Sequence, residues 1–87
     1  MLRITKINGN EATVTLKLEG QIVSDWVREL ERECRVALAQ GRRVHLDFTH
    51  VTFVDERGCA SLRNLVSDQL DIVQCPALIR SLLDDRR

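Results

Sequence analysis

Apolar and polar residues alternate along residues 2–7 (Leu-Arg-Ile-Thr-Lys-Ile) and again along residues 12–18 (Ala-Thr-Val-Thr-Leu-Lys-Leu). A period of two over such stretches predicts half-buried strands. Asn8-Gly9-Asn10-Glu11 separates them, and Asn-Gly tolerates positive φ, so the pair reads as an antiparallel hairpin. Gly20 breaks the alternation. After Ser24-Asp25 the period changes: Val27, Leu30, Cys34, Ala37 and Leu38 recur at helical spacing on one stripe. Ser24 is the expected N-cap, Asp25 suits the positive end of the helix dipole, and Gly41 is the expected stop.

Residues 43–48 (Arg-Val-His-Leu-Asp-Phe) predict a third strand that Thr49-His50 interrupts. Val51-Thr52-Phe53-Val54 is a short apolar segment leading to Asp55, where a second helix is expected to start with Cys59, Leu62, Leu65 and Val66 as its buried stripe. Residues 70–74 predict a short fourth strand, and Pro76 suits the first position of a third helix with Leu78, Ile79, Leu82 and Leu83 on its apolar face. Asp84-Asp85-Arg86-Arg87 reads as a frayed polar tail. The expectation is one small α/β domain over residues 1–87, ordered β-β-α-β-α-β-α. Its mixed four-stranded sheet should be mainly parallel, with the helices packed on it.

Composition narrows the function classes. With 13 basic and 13 acidic residues the net charge is +0, which argues against a nucleic-acid partner. Aromatic residues are only 3%, too few for a base-stacking platform. The longest apolar run, Val36-Ala37-Leu38-Ala39, is far short of the ~20 residues of a membrane span, so membrane insertion is not expected. Met1-Leu2-Arg3-Ile4-Thr5-Lys6 has no apolar stretch behind its charges and predicts no secretory leader. Cys34, Cys59 and Cys75 are widely spaced and odd in number, so they read as small core residues in a reducing compartment, the cytoplasm.

The stretch that carries chemistry runs from Leu46-Asp47-Phe48-Thr49 through Val51-Thr52-Phe53-Val54-Asp55-Glu56-Arg57-Gly58. It resembles the STAS family, named for sulfate transporters and anti-sigma-factor antagonists. That family's pattern is a strand ending Leu-Asp-Leu-Ser, then Val-x-Phe-Ile-Asp-Ser-Ser-Gly opening a helix. Asp47 and Asp55 fall on the two aspartates and Gly58 on the glycine. Leu18-Glu19-Gly20-Gln21-Ile22 resembles the early Leu-x-Gly-x-Leu turn, and residues 73–83 resemble the later strand–turn–helix. In antagonist-type members the first serine after the second aspartate accepts phosphate from a partner kinase. Glu56 occupies that position here and Arg57 the next.

The resemblance implies a non-enzymatic protein-binding regulatory module akin to an anti-sigma factor antagonist, not switched by phosphorylation at Glu56. Its partner would be a regulatory protein, such as an anti-sigma factor with serine kinase activity, or a larger signalling complex. Contact is expected through Thr52, Asp55, Glu56, Arg57, Gly58, Ser61 and Asn64, with Gly20, Asp47, Asp55 and Gly58 as structural motif positions. No cofactor or metal is implied, and a homodimer is compatible with the sequence. The alternative of the same fold is a STAS subunit of a lipid-type ABC transporter complex.

Each of these residues also has a plainer reading. Asp55 caps the second helix, Glu56 complements the dipole in its first turn, Gly58 permits close backbone approach, and Asp47 binds loop amides. Trp26 could anchor an interface or cover the core edge. A thiol nucleophile assembled from Cys59, His45 or His50, and Asp47 or Asp55 would need Cys59 to leave its helix's buried stripe. Asp47, His50, Asp55 and Glu56 match no metal-ligand spacing.

Overall fold

The two alternating segments form β1 (Leu2–Ile7) and β2 (Thr13–Ile22), paired antiparallel from Leu2↔Gly20 to Ile7↔Thr15. The structure, a computed structural model, describes residues 1–7 and 9–84. In the hairpin connection the Asn10 carboxamide oxygen accepts the N–H groups of Ala12 and Thr13, both at 2.7 Å. This side chain holds the turn. The chain continues through α1 (Asp25–Ala39), β3 (Arg43–Val54), α2 (Glu56–Leu65), β4 (Leu70–Val73) and α3 (Ala77–Asp84). Spatial strand order is β1-β2-β3-β4, with β2, β3 and β4 parallel, as the element order predicts.

Two strand boundaries differ from the sequence reading. β2 runs on through Gly20, and β3 runs unbroken through Thr49-His50. Against β2, β3 holds one extra residue between Asp47 and His50 and another between Val51 and Phe53. Each bulge moves the next inward position by one, so Phe48, Val51 and Val54 all face the core at a spacing of three. That spacing hides a strand from a period-two search. At Gly20, φ is 108° and a Cβ would overlap the Met1 carbonyl oxygen, which accepts the Gln21 N–H at 2.9 Å. Gly20 thus lets the chain start close against β2.

The helices cover the sheet face that carries Leu2, Val14, Leu16, Leu18, Val44, Leu46 and Phe48. Val27, Leu30, Cys34 and Ala37 of α1 and Cys59, Leu62 and Leu65 of α2 close this core. Burying each large aliphatic or aromatic side chain contributes about 1.5–3 kcal/mol. Leu38 packs only partly against it. Val66 leaves the expected stripe because α2 ends at Leu65 and the chain turns extended (φ −63°, ψ 130°), which exposes the side chain. α3 docks through Ile79 and Leu83, which rotates Leu78 and Leu82 of the expected face outward. The tail beyond Asp84 lies outside the described residues.

The opposite sheet face is open and polar. There His45 Nδ1 lies 2.6 Å from Asp71 Oδ1 across β3 and β4. Outer charges of α1 pair as their spacing predicts: Arg35 with Glu31 at 3.6 Å and Arg32 with Glu29 at 2.7 Å. Exposed helix pairs of this kind contribute only a few tenths of a kcal/mol.

Candidate functional site

The second bulge turns Thr52 and Phe53 to the surface just before β3 ends at Val54. Asp55 follows in extended conformation (φ −80°, ψ 179°), its N–H donating to Ile22 O at 3.1 Å. Its carboxylate serves two elements. Oδ1 accepts the Gly58 N–H at 2.7 Å, which caps α2 as expected. Oδ2 accepts the Ser24 N–H at 3.0 Å, which ties the start of α1 to the start of α2.

Ser24 does not do what its sequence position predicts. Its side chain makes no capping hydrogen bond, and its backbone sits at φ 52°, ψ −128°. The Trp26 N–H donates to Val23 O at 3.0 Å, so Ser24 is the first central residue of a type II′ turn, a position that favours glycine. A left-handed conformation in a non-glycine residue costs about 1–3 kcal/mol. Ser24→Gly is therefore expected to raise stability by about 1 kcal/mol, read as a thermal midpoint about 4–8 °C higher. A lower midpoint would mean the serine side chain supports the turn.

Gly58 is buried in the first turn of α2. A Cβ there would lie 2.7 Å from Ile22 O and 2.7 Å from Val54 Cγ1. The close approach expected of this glycine is thus real, and it seats α2 directly on the β2–β3 ends. Glu56 and Arg57 point into solvent beyond this seat. Thr52 is exposed, its hydroxyl donating to Gly20 O at 3.1 Å, and Asn64 is exposed one face further along α2.

Ser61 corrects the sequence reading. It is buried, and its hydroxyl donates to Glu31 Oε2 at 2.5 Å. α2 packs against α1 along this side, so residue 61 faces the helix pair and not a partner. Asp47 is placed apart from the α2 start, on the open sheet face beside Lys17 and Val73. It accepts the Thr49 hydroxyl at 2.6 Å and the Thr49 N–H at 2.9 Å, so the amide it binds belongs to the first β3 bulge and not to a loop. These hydrogen bonds hold its carboxyl below the usual carboxylate range.

Cys59 is buried, with Sγ 3.6 Å from Leu82 O. His45 is engaged by Asp71 on the opposite face of the sheet, so the thiol and this imidazole are not brought together. Burial pushes the Cys34 thiol up to about 12 and also raises that of the half-buried Cys75, which suppresses thiolate chemistry at both. Among the described residues, no group of three or more His, Cys, Asp or Glu is placed to hold a metal ion. No helix among them is long and apolar enough to cross a membrane.

An open cleft of about 1030 Å³ adjoins Glu56 and Arg57, bounded by Phe53, Ala60, Arg63 and Leu82. Ala60, Arg63 and Leu82 were not singled out in the sequence, where Leu82 belongs to the expected apolar face of α3.

The model of the family described as "Mlab, STAS domain" matches residues 5–84. The chain belongs to the STAS family. Its STAS fold is shared with the anti-sigma factor antagonist SpoIIAA in its unphosphorylated form, at 18% identity and a TM-score of 0.70, over 92% of this chain and 80% of that one. It is also similar to an uncharacterized protein of the DUF3478 family with a SpoIIAA-like fold from Shewanella loihica PV-4. There identity is 13% and the TM-score 0.60, over 88% of this chain and 69% of that one. A comparison with curated proteins found no match. Asp55 and Gly58, which carry the STAS resemblance in the sequence, build the α2 start through a shared carboxylate and a missing side chain.

Proposed function

We propose that this STAS chain is a non-enzymatic regulatory module of the anti-sigma factor antagonist kind, acting in the cytoplasm. It binds a partner protein through Thr52, Glu56, Arg57 and Asn64, while Asp55 and the buried Gly58, expected contacts in the sequence reading, hold the helix start that presents them. One observation carries this reading: Glu56 and Arg57 stand exposed on a helix start whose geometry is held from beneath by Asp55 and Gly58. The site presents fixed charge on a rigid support. Free cysteines agree with a reducing compartment.

Glu56 stands where antagonist-type relatives accept phosphate. A phosphoserine would bring about −1.5 to −2 charges and three acceptor oxygens. Glutamate brings one charge and two oxygens permanently, so docking here is constitutive. With an anti-sigma-type serine kinase and labelled ATP, the chain is expected to bind the kinase and remain unlabelled. Phosphate on Thr52, the exposed hydroxyl closest in sequence to Asp55, would restore a switch and contradict constitutive docking.

A second reading is a fixed subunit of a lipid-type ABC transporter complex. The exposure of Phe53 and Leu82 beside the same helix start favours it, because permanent interfaces are more apolar than transient ones. Co-purification with a permease and ATPase pair, against co-purification with a kinase, separates the two.

A further inference from the structure

We propose that the outer edge of β1 pairs with the same edge of a second copy of this chain, antiparallel about a two-fold axis at Ile4, so that the two sheets join as one. β1 is the outermost strand on its side of the sheet. The Gln21 N–H donates to Met1 O at 2.9 Å, and the register from Leu2↔Gly20 to Ile7↔Thr15 carries that phase along the ladder. Arg3, Thr5 and Ile7 therefore direct their N–H and C=O groups to β2, and those of Leu2, Ile4 and Lys6 point outward. These outward groups have no hydrogen-bond partner among the described residues.

The other open stretches of the sheet are engaged or irregular. In β4 the Val44 N–H donates to Gln69 O, so Leu70 and Ile72 carry the outward groups. Leu70 already exchanges both of its hydrogen bonds with Ser67, at 3.0 and 3.4 Å, which leaves Ile72 alone. β3 has no strand beside it on the β4 side past Asp47, and both of its bulges lie in that stretch, which breaks a regular ladder. β1 carries neither a bulge nor a proline.

The β1 edge is complementary to itself in one register. With Ile4 on the axis, Leu2 pairs with Lys6 of the second copy, Ile4 with Ile4, and Lys6 with Leu2, giving about six hydrogen bonds. Ile4, half-buried at the rim of the core, gains cover from its own symmetry mate. No like charges lie opposite each other. Arg3 faces Thr5 on the open side of the sheet. Lys6 faces Leu2, beside a depression that Glu29 and Glu33 of α1 also line. Glu33 has no ion pair among the described residues. Moving the axis to Arg3 sets Arg3 against Arg3, and moving it to Thr5 drops Leu2 from the ladder. An axis between residues sets a core-side residue against an open-face one. At one hydrogen bond per 100–200 Å², six correspond to an interface of about 600–1,200 Å², the size of weak, reversible contacts. The axis stands perpendicular to the sheet, so β3 runs in opposite directions in the two copies and their Glu56 residues face opposite ends of the dimer. On the docking reading, one dimer holds two partner proteins.

Sedimentation equilibrium of the full chain is expected to show monomer and dimer in concentration-dependent exchange. Amide hydrogen exchange should slow with concentration at Ile4 and Lys6 but not at Thr5, which the β2 ladder already protects. Lys6→Pro removes an N–H that only the second copy uses, a change an edge strand tolerates, and should weaken dimerisation at least tenfold with the melting midpoint held. Thr5→Glu sets a carboxylate opposite Arg3 of the second copy and should tighten the dimer at least twofold, an effect that high salt removes. Thr5 lies opposite Lys17 within its own chain, so this change also suits the monomer fold, and it decides the matter if Lys6→Pro fails to fold. A chain that stays monomeric up to about 1 mM, a dimer indifferent to both variants, or protection that falls outside β1 overturns the proposal. Each of these results leaves the docking reading standing, because Glu56 takes no part in the edge.

Discussion

Gly58→Ala is expected to destabilise the fold by about 2 kcal/mol, a drop of about 10 °C in the thermal midpoint for a chain of this size. The sign is the informative part. Glycine inside a helix normally costs about 1 kcal/mol relative to alanine, so the same change in an open helix would stabilise. Here the new Cβ meets Ile22 O and Val54 Cγ1 at 2.7 Å and Asp55 Oδ1 at 3.2 Å. None can retreat cheaply. Ile22 O accepts the Asp55 N–H, Val54 is buried, and Asp55 Oδ1 is the α2 cap. Relief requires lifting the helix start off the sheet, which also moves Glu56 and Arg57. Circular dichroism melting decides it, and a midpoint at or above that of the parent would show that α2 is not seated on the β2–β3 ends.

Asp55→Ala is expected to cost about 2 kcal/mol in total. The lost cap accounts for about 1 kcal/mol. The Ser24 N–H then loses its acceptor, at the low end of the 1–3 kcal/mol range because that site is exposed. Asp55→Asn should fall between the parent and the alanine variant, since Oδ1 still caps Gly58 while an amide NH2 faces the Ser24 N–H. Denaturant unfolding of the three proteins measures this order, and an alanine variant as stable as the parent would mean that the carboxylate does not tie α1 to α2.

Much of this architecture is legible in the sequence because its signals are local. The alternation of residues 2–7 and 12–18 and the Val27–Leu30–Cys34 stripe each report one face of one element, and the structure follows them. The losses arise where tertiary context overrides a period. Two bulges in β3 turn a strand of 12 residues into two apparent fragments and lift Phe53 out of the core. Ser24 has the composition of an N-cap, yet Asp55, 31 residues away in sequence, claims its N–H and holds it in a turn. Ser61 sits beside the buried stripe of α2, and only the packing of α1 reveals that Glu31 receives its hydroxyl. The STAS resemblance located Asp55, Glu56 and Gly58, whereas the cleft beside them depends on how α3 docks, which no short motif encodes.

Glu56→Arg, with partner affinity and thermal midpoint measured side by side, tests the docking reading most directly. Loss of an acid from the first turn of α2 costs the fold no more than about 1 kcal/mol. The expected result is therefore a midpoint no more than about 8 °C below that of the parent and partner binding at least tenfold weaker. Unchanged affinity, or a loss of affinity matched by loss of the fold, would contradict a Glu56 side chain that exists to be touched by another protein.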